Sequence, residues 1–495
     1  MDEVAPEPSR LRRVDARFLL PTFPKTAVVM HPAWREGLRQ AGIEIVEPRE
    51  RSTVDLVVAP ASMGRAALSL GTRVVLLEGR PRPIRPLRGD STARRYLPVP
   101  PRPNAPVIVD LADGRAAERA IAIGTHAADL PTAAKREIAR ALVRLGLVPP
   151  LGPVYTVHSS ASTTPALVGE AARRAGVEVD GWFLLIEPGP DHKRPVFYLL
   201  SGQEGAAAVV KFSRLLDDRR KAQREARGLA AARSAGAVAA SHAPHVLADF
   251  ELGGHHAVVQ TAILGRTVGR MASAWGLRRG RKLAQIEPVV EWLCRIARAT
   301  AHRRGSLDDD LCDTIAGGWS GDVAQHLARV AAATPAVFQH GDLADGNVIV
   351  DRGAFMAIDW ELASSDGYPL WDLLYLAVCA LPLVDGALDG GAADREEKHV
   401  RYLNELFRGG AASSPDFFRW LRAAAEASGL GLEAVPEVVA LGLRWYSTLQ
   451  ARLHRRGELP SGTGWAPLER FAEQSLTDAD LGIAWPAWRN SIGSA

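Results

Sequence analysis

The stretch Val337–Glu361, VFQHGDLADGNVIVDRGAFMAIDWE, decides the reading of this chain. Two short apolar runs, Val348–Val350 and Phe355–Ile358, flank a turn at Asp351-Arg352-Gly353, the pattern of a β-hairpin. A polar loop, His340-Gly341-Asp342-Leu343-Ala344-Asp345-Gly346-Asn347, leads into the first strand, and the second strand ends on Asp359. An Asp, an Asn and a second Asp are thus delivered to one edge of the hairpin, each with side-chain oxygen to offer. Such a set suits Mg²⁺, a hard cation that takes oxygen ligands and keeps waters and phosphates in its remaining positions. It also suits phosphoryl transfer, where a protein must hold metal against phosphates and orient an attacking hydroxyl.

In the kinase pattern a catalytic-loop Asp takes the hydroxyl proton, an Asn five positions on binds Mg²⁺, and a later Asp binds Mg²⁺ as well. Asp342, Asn347 and Asp359 stand in that order and spacing. Protein kinases carry HRD and DFG at these places, whereas this chain carries HGD and IDWE. In this it resembles the aminoglycoside phosphotransferase and choline kinase group. The resemblance is specific over residues 337–375 and looser from about 180 to 450. It includes GYPLWDL, residues 367–373, against the group's G-x-P-x-x-D-L.

The resemblance implies a bilobal protein-kinase-like fold with a mostly helical C-lobe. It implies that Asp342 is the catalytic base or orients the hydroxyl, and that Asn347 and Asp359 are Mg²⁺ ligands. His340 would prop the loop and Asp372 would support it from behind. The implied activity is an ATP- and Mg²⁺-dependent transfer of the γ-phosphate to a hydroxyl of a small molecule of aminoglycoside, sugar or amino-alcohol type. A catalytically weak or inactive kinase-like scaffold, binding a partner through the N-terminal region, is the alternative. HGD and the lack of an A-P-E element argue against a protein kinase.

The upstream half should supply a lysine for the nucleotide phosphates and its carboxylate. Lys211 lies in an apolar strand, AAAVVKF, where a cation is costly without anionic partners. The chain has seven lysines against 53 arginines, which lifts Lys211 out of the background. The other reading of Lys211 is a lysine blunting an edge strand. Glu225, on the charged helix that follows, is the candidate partner, or else a solvated i,i+4 residue. The hairpin turn Pro188–Lys193 has one glycine and does not reproduce a Gly-rich phosphate loop. QTAILG, residues 260–265, resembles the group's adenine-binding hinge. Trp360, Trp371, Trp445 and Tyr446 read as pocket-lining or core aromatics, and Asp308-Asp309-Asp310 as an acidic substrate patch or a solvated helix start.

The rest of the chain is read from its pattern. It has 495 residues, 47% hydrophobic and 23% charged, which is ordinary for a globular protein and enough for about three domains. Runs around Thr26–Met30, Val54–Pro60 and Arg73–Glu78 alternate with helical stretches, the βαβαβ spacing of a parallel sheet. The first strand is followed by MHPAWREG, without the glycines of a dinucleotide loop. The expectation is a degenerate Rossmann-like α/β domain over 1–150, ended by Pro149-Pro150 and serving docking or self-association. A kinase-like N-lobe over 151–265 and a C-lobe over 266–495 follow, with residues 1–17 as a loose arm.

The formal net charge is only +4 and no basic block stands out, so nucleic acid is not the expected partner. Three cysteines without metal spacing suit a reducing compartment. No uncharged apolar run reaches the ~18 residues that span a bilayer. The expectation is a soluble, cytoplasmic protein, and its Arg- and Ala-heavy usage suggests a GC-rich bacterial genome.

Overall fold

The computed structural model describes residues 15–47, 54–70, 72, 74–79, 92–99, 107–124, 130–144, 154–159, 164–186, 194–202, 205–216, 219–274, 276–305, 307, 309–319, 321–351, 353–388, 395–455 and 488. The chain divides into two compact units, Met1–Ala222 with His245–Leu264, and Gln223–Pro244 with Gly265–Ala495.

The apolar runs of the first unit form a sheet of twelve strands. They are β1 (Thr26–Val29), β2 (Glu44–Ile45), β3 (Leu56–Pro60), β4 (Val74–Gly79), β5 (Thr92–Val99), β6 (Val107–Asp110), β7 (Val154–Ser159), β8 (Gly181–Leu185), β9 (Val196–Ser201), β10 (Gly205–Phe212), β11 (Val246–Leu252) and β12 (His255–Gln260). The order is β11-β12-β10-β9-β8-β6-β5-β7-β4-β3-β1-β2. Five helices accompany them, α1 (Arg35–Gln40), α2 (Gly64–Leu68), α3 (Gly114–Gly124), α4 (Leu130–Arg144) and α5 (Ala166–Ala175).

Pairing is parallel only among β2, β1, β3 and β4. Of these, β1, β3 and β4 are apolar on both faces because both are covered, as parallel strands require. Ala27, Val29, Leu56, Val58 and Leu76 enter one core, while Val28, Val57, Ala59, Val75 and Leu77 enter another. Every other neighbour pair is antiparallel.

The structure corrects the N-terminal expectation here. Residues 1–150 do not make a parallel Rossmann-like sheet of their own, because β7, from beyond Pro149-Pro150, hydrogen-bonds between β4 and β5. The sheet then continues from β6 into β8, so strands expected in separate domains share one ladder. The physical reason is that β4, β5 and β6 each present an edge that only a distant strand can satisfy. The end of the expected loose arm is also fixed. Asp15 and Arg17 are buried, Arg214 lies 3.3 Å from Asp15, and Arg17 donates to the Arg214 carbonyl at 2.8 Å. Residues 1–14 lie outside the described residues.

Helix α6 (Arg220–Ser234) passes from the first unit into the second. The second unit continues with α7 (Ala237–Ala240), β13 (Arg266–Thr267), α8 (Val268–Ala272), α9 (Arg279–Leu283), α10 (Glu287–Thr300), α11 (Asp309–Gly318) and α12 (Gly321–Ala333). Then come β14 (Val337–Gln339), β15 (Val348–Asp351), β16 (Ala354–Ala357), β17 (Ser364–Gly367), α13 (Trp371–Val384), α14 (Arg395–Arg408), α15 (Ser414–Ser428) and α16 (Val435–Arg455). β15 and β16 are the expected hairpin, with Val348 opposite Ala357, and β13 adds to its other edge. β14 pairs with β17, which brings the segment before His340 beside the segment after Asp359. One core joins the helices, with Trp292, Trp360, Trp371, Trp420 and Trp488 inside it. Among the described residues, no helix is long and apolar enough to cross a membrane.

Candidate active site

The polar loop hangs on one buried carboxylate. Asp372, in the first turn of α13, accepts the backbone N–H of His340 at 2.6 Å and that of Gly341 at 2.8 Å. Burial pushes this carboxyl up to about 6, while the two backbone donors pull it down. A loop of this kind has few backbone partners, and an unmet buried N–H costs roughly 1–3 kcal/mol. The side chain at 372 supplies the acceptors that the local secondary structure lacks.

His340 adds a second brace. Its Nε2 sits 2.9 Å from the Ile358 carbonyl and its Nδ1 sits 3.3 Å from the Asp342 N–H. A carbonyl only accepts and an N–H only donates, so the imidazole carries its proton on Nε2. The ring packs 4.5 Å from that of Trp360. One histidine therefore joins the loop before β15 to the end of β16.

Gly341 explains why the motif reads HGD. Its φ is +86°, and an added Cβ would lie 2.3 Å from the Leu362 carbonyl oxygen. Only glycine combines that backbone with that approach. An arginine at this position, as in HRD, does not fit this loop.

Asp342 is held at both carboxylate oxygens. Asn347 Nδ2 donates to Oδ2 at 3.0 Å and to the Asp342 carbonyl at 2.7 Å. Tyr446, from α16, reaches Oδ1 at 3.4 Å and lies 2.5 Å from the Tyr375 hydroxyl. Tyr446 has one proton, and both the Tyr375 oxygen and Asp342 Oδ1 lie within its reach. Burial first pushes both phenols well above their ordinary range, followed by the Asp342 charge for Tyr375 and by Tyr375 and then Asp342 for Tyr446, so both stay protonated.

Asp359 follows the second strand. The Ile358 N–H donates to the Asn347 carbonyl at 2.9 Å, so Asp359 leaves β16 beside Asn347. Its backbone is left-handed, φ 64° and ψ 59°. Among the described residues the only other non-glycine with positive φ is Leu370, at 73°, two residues before Asp372. Such backbone costs of order 1–3 kcal/mol and clusters at functional sites. Within the same unit Arg224 of α6 reaches Glu361 at 3.6 Å, which ties that helix to the segment carrying Asp359.

Asp342, Asn347, His340 and Asp372 are thus brought together, with Asp359 next to them. Lys211 is buried on β10, opposite Val258 of β12 and Val196 of β9, in the first unit. Glu225 is fully buried on α6 in the second unit. Trp360 and Trp371 are core residues whose indoles donate to the Ala357 and Gly341 carbonyls. The turn 188–193 lies outside the described residues, as does Asp308. Sequence reasoning had Tyr446 among pocket or core aromatics and did not single out Tyr375 or Asp345. Asp345, half-buried, is pushed up to about 6 by burial. The Tyr375 signal was available, because it lies one helical turn after Trp371 on the face that meets α16.

Among the described residues no group of three or more His, Cys, Asp or Glu side chains could hold a metal ion. Besides the Asp342 carboxylate, the site offers an amide oxygen from Asn347 and a carboxylate from Asp359. With its Nδ2 turned to Asp342, Asn347 keeps its Oδ1 for another partner.

No curated protein matches the chain. Solved structures similar to it include an amicoumacin kinase in complex with AMP-PNP, Ca²⁺ and Ami, at 14% identity and a TM-score of 0.34, covering 58% of this chain and 86% of that one. A glucosamine kinase in complex with glucosamine, ADP and inorganic phosphate is similar at 17% identity and 0.33, covering 67% and 87%. A choline kinase from Cryptosporidium parvum Iowa II is similar at 10% identity and 0.30, covering 62% and 89%. The family model that matches is that of the phosphotransferase enzyme family, over residues 186–403. That match, residues 186–403, spans the loop, its hairpin and Asp372.

Proposed function

We propose that the chain is an ATP- and Mg²⁺-dependent phosphotransferase that moves the γ-phosphate to a hydroxyl of a small molecule of aminoglycoside, sugar or amino-alcohol type. The observation that carries this reading is the grip on Asp342, with Asn347 on one carboxylate oxygen and Tyr446 on the other. A carboxylate held at both ends is preorganised to receive a hydroxyl, and positioning is most of what phosphoryl transfer asks of a protein.

Asp342 orients the acceptor hydroxyl and takes its proton. The hydroxyl oxygen bonds to the γ-phosphorus, the bond to the β–γ bridging oxygen breaks, and ADP leaves with that electron pair. Asn347 Oδ1 and the Asp359 carboxylate would hold Mg²⁺, which takes hard oxygen donors and keeps positions for phosphate oxygens. When bound, the metal neutralises charge on the phosphates. His340 and Asp372 keep the loop in shape. Lys211 and Glu225 are assigned to nucleotide binding.

The test is Asp342→Asn in an assay of ATP consumption across a panel of small hydroxyl compounds. The variant is expected to lose transfer and to keep the thermal shift that Mg·ATP gives the parent. Normal turnover by the variant overturns the role of Asp342. No Mg·ATP shift in the parent overturns the nucleotide reading and favours a scaffold.

A further inference from the structure

Strand β10, which carries Lys211, ends at Phe212, and the chain leaves it through Ser213 and Arg214 toward α6. Both of these residues are buried, and they are gripped from two sides. On one side is the β11–β12 hairpin. The Ser213 N–H donates to the His256 carbonyl at 2.9 Å, Ser213 Oγ accepts the His256 N–H at 3.0 Å, and His255 Nδ1 sits 2.8 Å from the Ser213 carbonyl. All of these residues lie inside the family match over 186–403.

The other grip comes from far outside that match. Asp15–Leu19 form a short 3-10 turn in which every residue is buried. Asp15 lies 3.3 Å from the Arg214 guanidinium, with the two side chains 1% and 4% exposed. Arg17 Nη2 donates to the Arg214 carbonyl at 2.8 Å, across 197 residues of sequence. The Phe18 ring meets that of Phe212 edge-on at 4.6 Å and that of His255 at 5.1 Å. The segment is fastened again at Leu20, whose carbonyl accepts the Ala166 N–H of α5 at 3.0 Å.

Taking two charges out of water is costly, and apolar side chains of the same volume would fill this space without that cost. What the ion pair and the Arg17 bond add is direction. They meet particular atoms of the residue three positions after Lys211, where an apolar contact would tolerate sliding.

We propose that residues 15–20 are a strap on the nucleotide site, in which Asp15 and Arg17 are positioning residues for Lys211. The inference rests on the assignment of Lys211 to the nucleotide phosphates. With the strap in place, residues 212–214 keep one backbone position and the Lys211 ammonium is delivered to one place. Without it the ammonium is spread over several positions, and affinity for the phosphates falls. Binding of the base does not pass through Lys211 and keeps its strength.

The experiment is calorimetric titration of the full chain with Mg·ATP and, separately, with adenosine, which has no phosphates. Arg17→Met removes the donor to the Arg214 carbonyl. Asp15→Leu with Arg214→Met replaces the ion pair by apolar side chains, a change that folded proteins tolerate, whereas removing one partner alone strands a buried charge. Each variant is expected to bind Mg·ATP about tenfold more weakly and adenosine as the parent does. Arg17→Lys keeps a donor and should recover most of the loss. Lys211→Ala is the reference, losing Mg·ATP and keeping adenosine. Mg·ATP binding at parental strength by both strap variants overturns the proposal. Equal losses for Mg·ATP and adenosine also overturn it, because the segment then only holds the fold. A parent that does not bind Mg·ATP, or a Lys211→Ala variant that binds it normally, overturns instead the nucleotide reading beneath the proposal, and the strap with it.

Discussion

Three glycines within thirteen residues separate the two costs that lock the candidate loop. Gly341 has φ +86° and a Cβ there would meet the Leu362 carbonyl oxygen at 2.3 Å. Gly353 has φ +89° and open space around it, and Gly346 has open space without a positive φ. Left-handed backbone costs an alanine roughly 1–2 kcal/mol. Forcing a contact of about 1 Å too close into packed surroundings adds roughly 1–3 kcal/mol. Gly341→Ala should therefore destabilise by about 2–5 kcal/mol, Gly353→Ala by about 1–2, and Gly346→Ala by well under 1. Urea unfolding read by tryptophan fluorescence suits the comparison, because only Trp34 and Trp182 of the twelve tryptophans lie in the first unit. A loss at Gly341 no larger than that at Gly353 would refute the close approach to Leu362 and, with it, the account of why the motif reads HGD.

Further outcomes follow from the same geometry. Tyr446→Phe removes one donor from Asp342, and turnover should fall about tenfold while the Mg·ATP thermal shift stays, since a bond to a charged group is worth about 1.5 kcal/mol. Tyr375→Phe should act in the same direction and more weakly, because it touches Tyr446 rather than the carboxylate. Asp372 has a folded-state value of about 6 against an ordinary 3.8. The folded state thus binds a proton that the unfolded chain releases, and this residue's contribution to stability falls as pH rises from about 4 to about 6. Melting curves of Asp372→Asn should show a shallower loss across that window, and an unchanged slope would count against the assignment. Lys211→Ala should abolish the Mg·ATP thermal shift, and a shift equal to the parent's would remove Lys211 from the nucleotide site.

The hairpin β15–β16 and its loop were readable because every member lies within 25 residues. Turn chemistry and alternation act locally, and so does the spacing from Asp342 to Asn347. Asp372 was readable only through GYPLWDL, whose resemblance pointed to a support that no spacing rule supplies. Tyr446 acts 104 residues from Asp342, and nothing near it in the chain marks its hydroxyl as different from those of other aromatics. The sheet was the larger loss. β4 and β7 are apolar runs of ordinary appearance, and an apolar strand does not announce its neighbour. The Pro149-Pro150 pair reads as a boundary in the sequence, and two prolines say nothing about whether the strands on either side will pair.

The position of β7 has a consequence for how this chain is made. When residues 1–150 have left the ribosome, β4 and β5 each have a raw edge and no partner until 154–159 arrives between them. Exposed edges of this kind template wrong pairing, and contacts of long sequence separation form slowly. A fragment cut at Pro150 keeps both edges open for good, so its expected fate is aggregation rather than a free-standing domain. Dissection of the protein should therefore cut nowhere inside the ladder, and its synthesis should depend on chaperones that hold β4 and β5 apart until the strand between them exists.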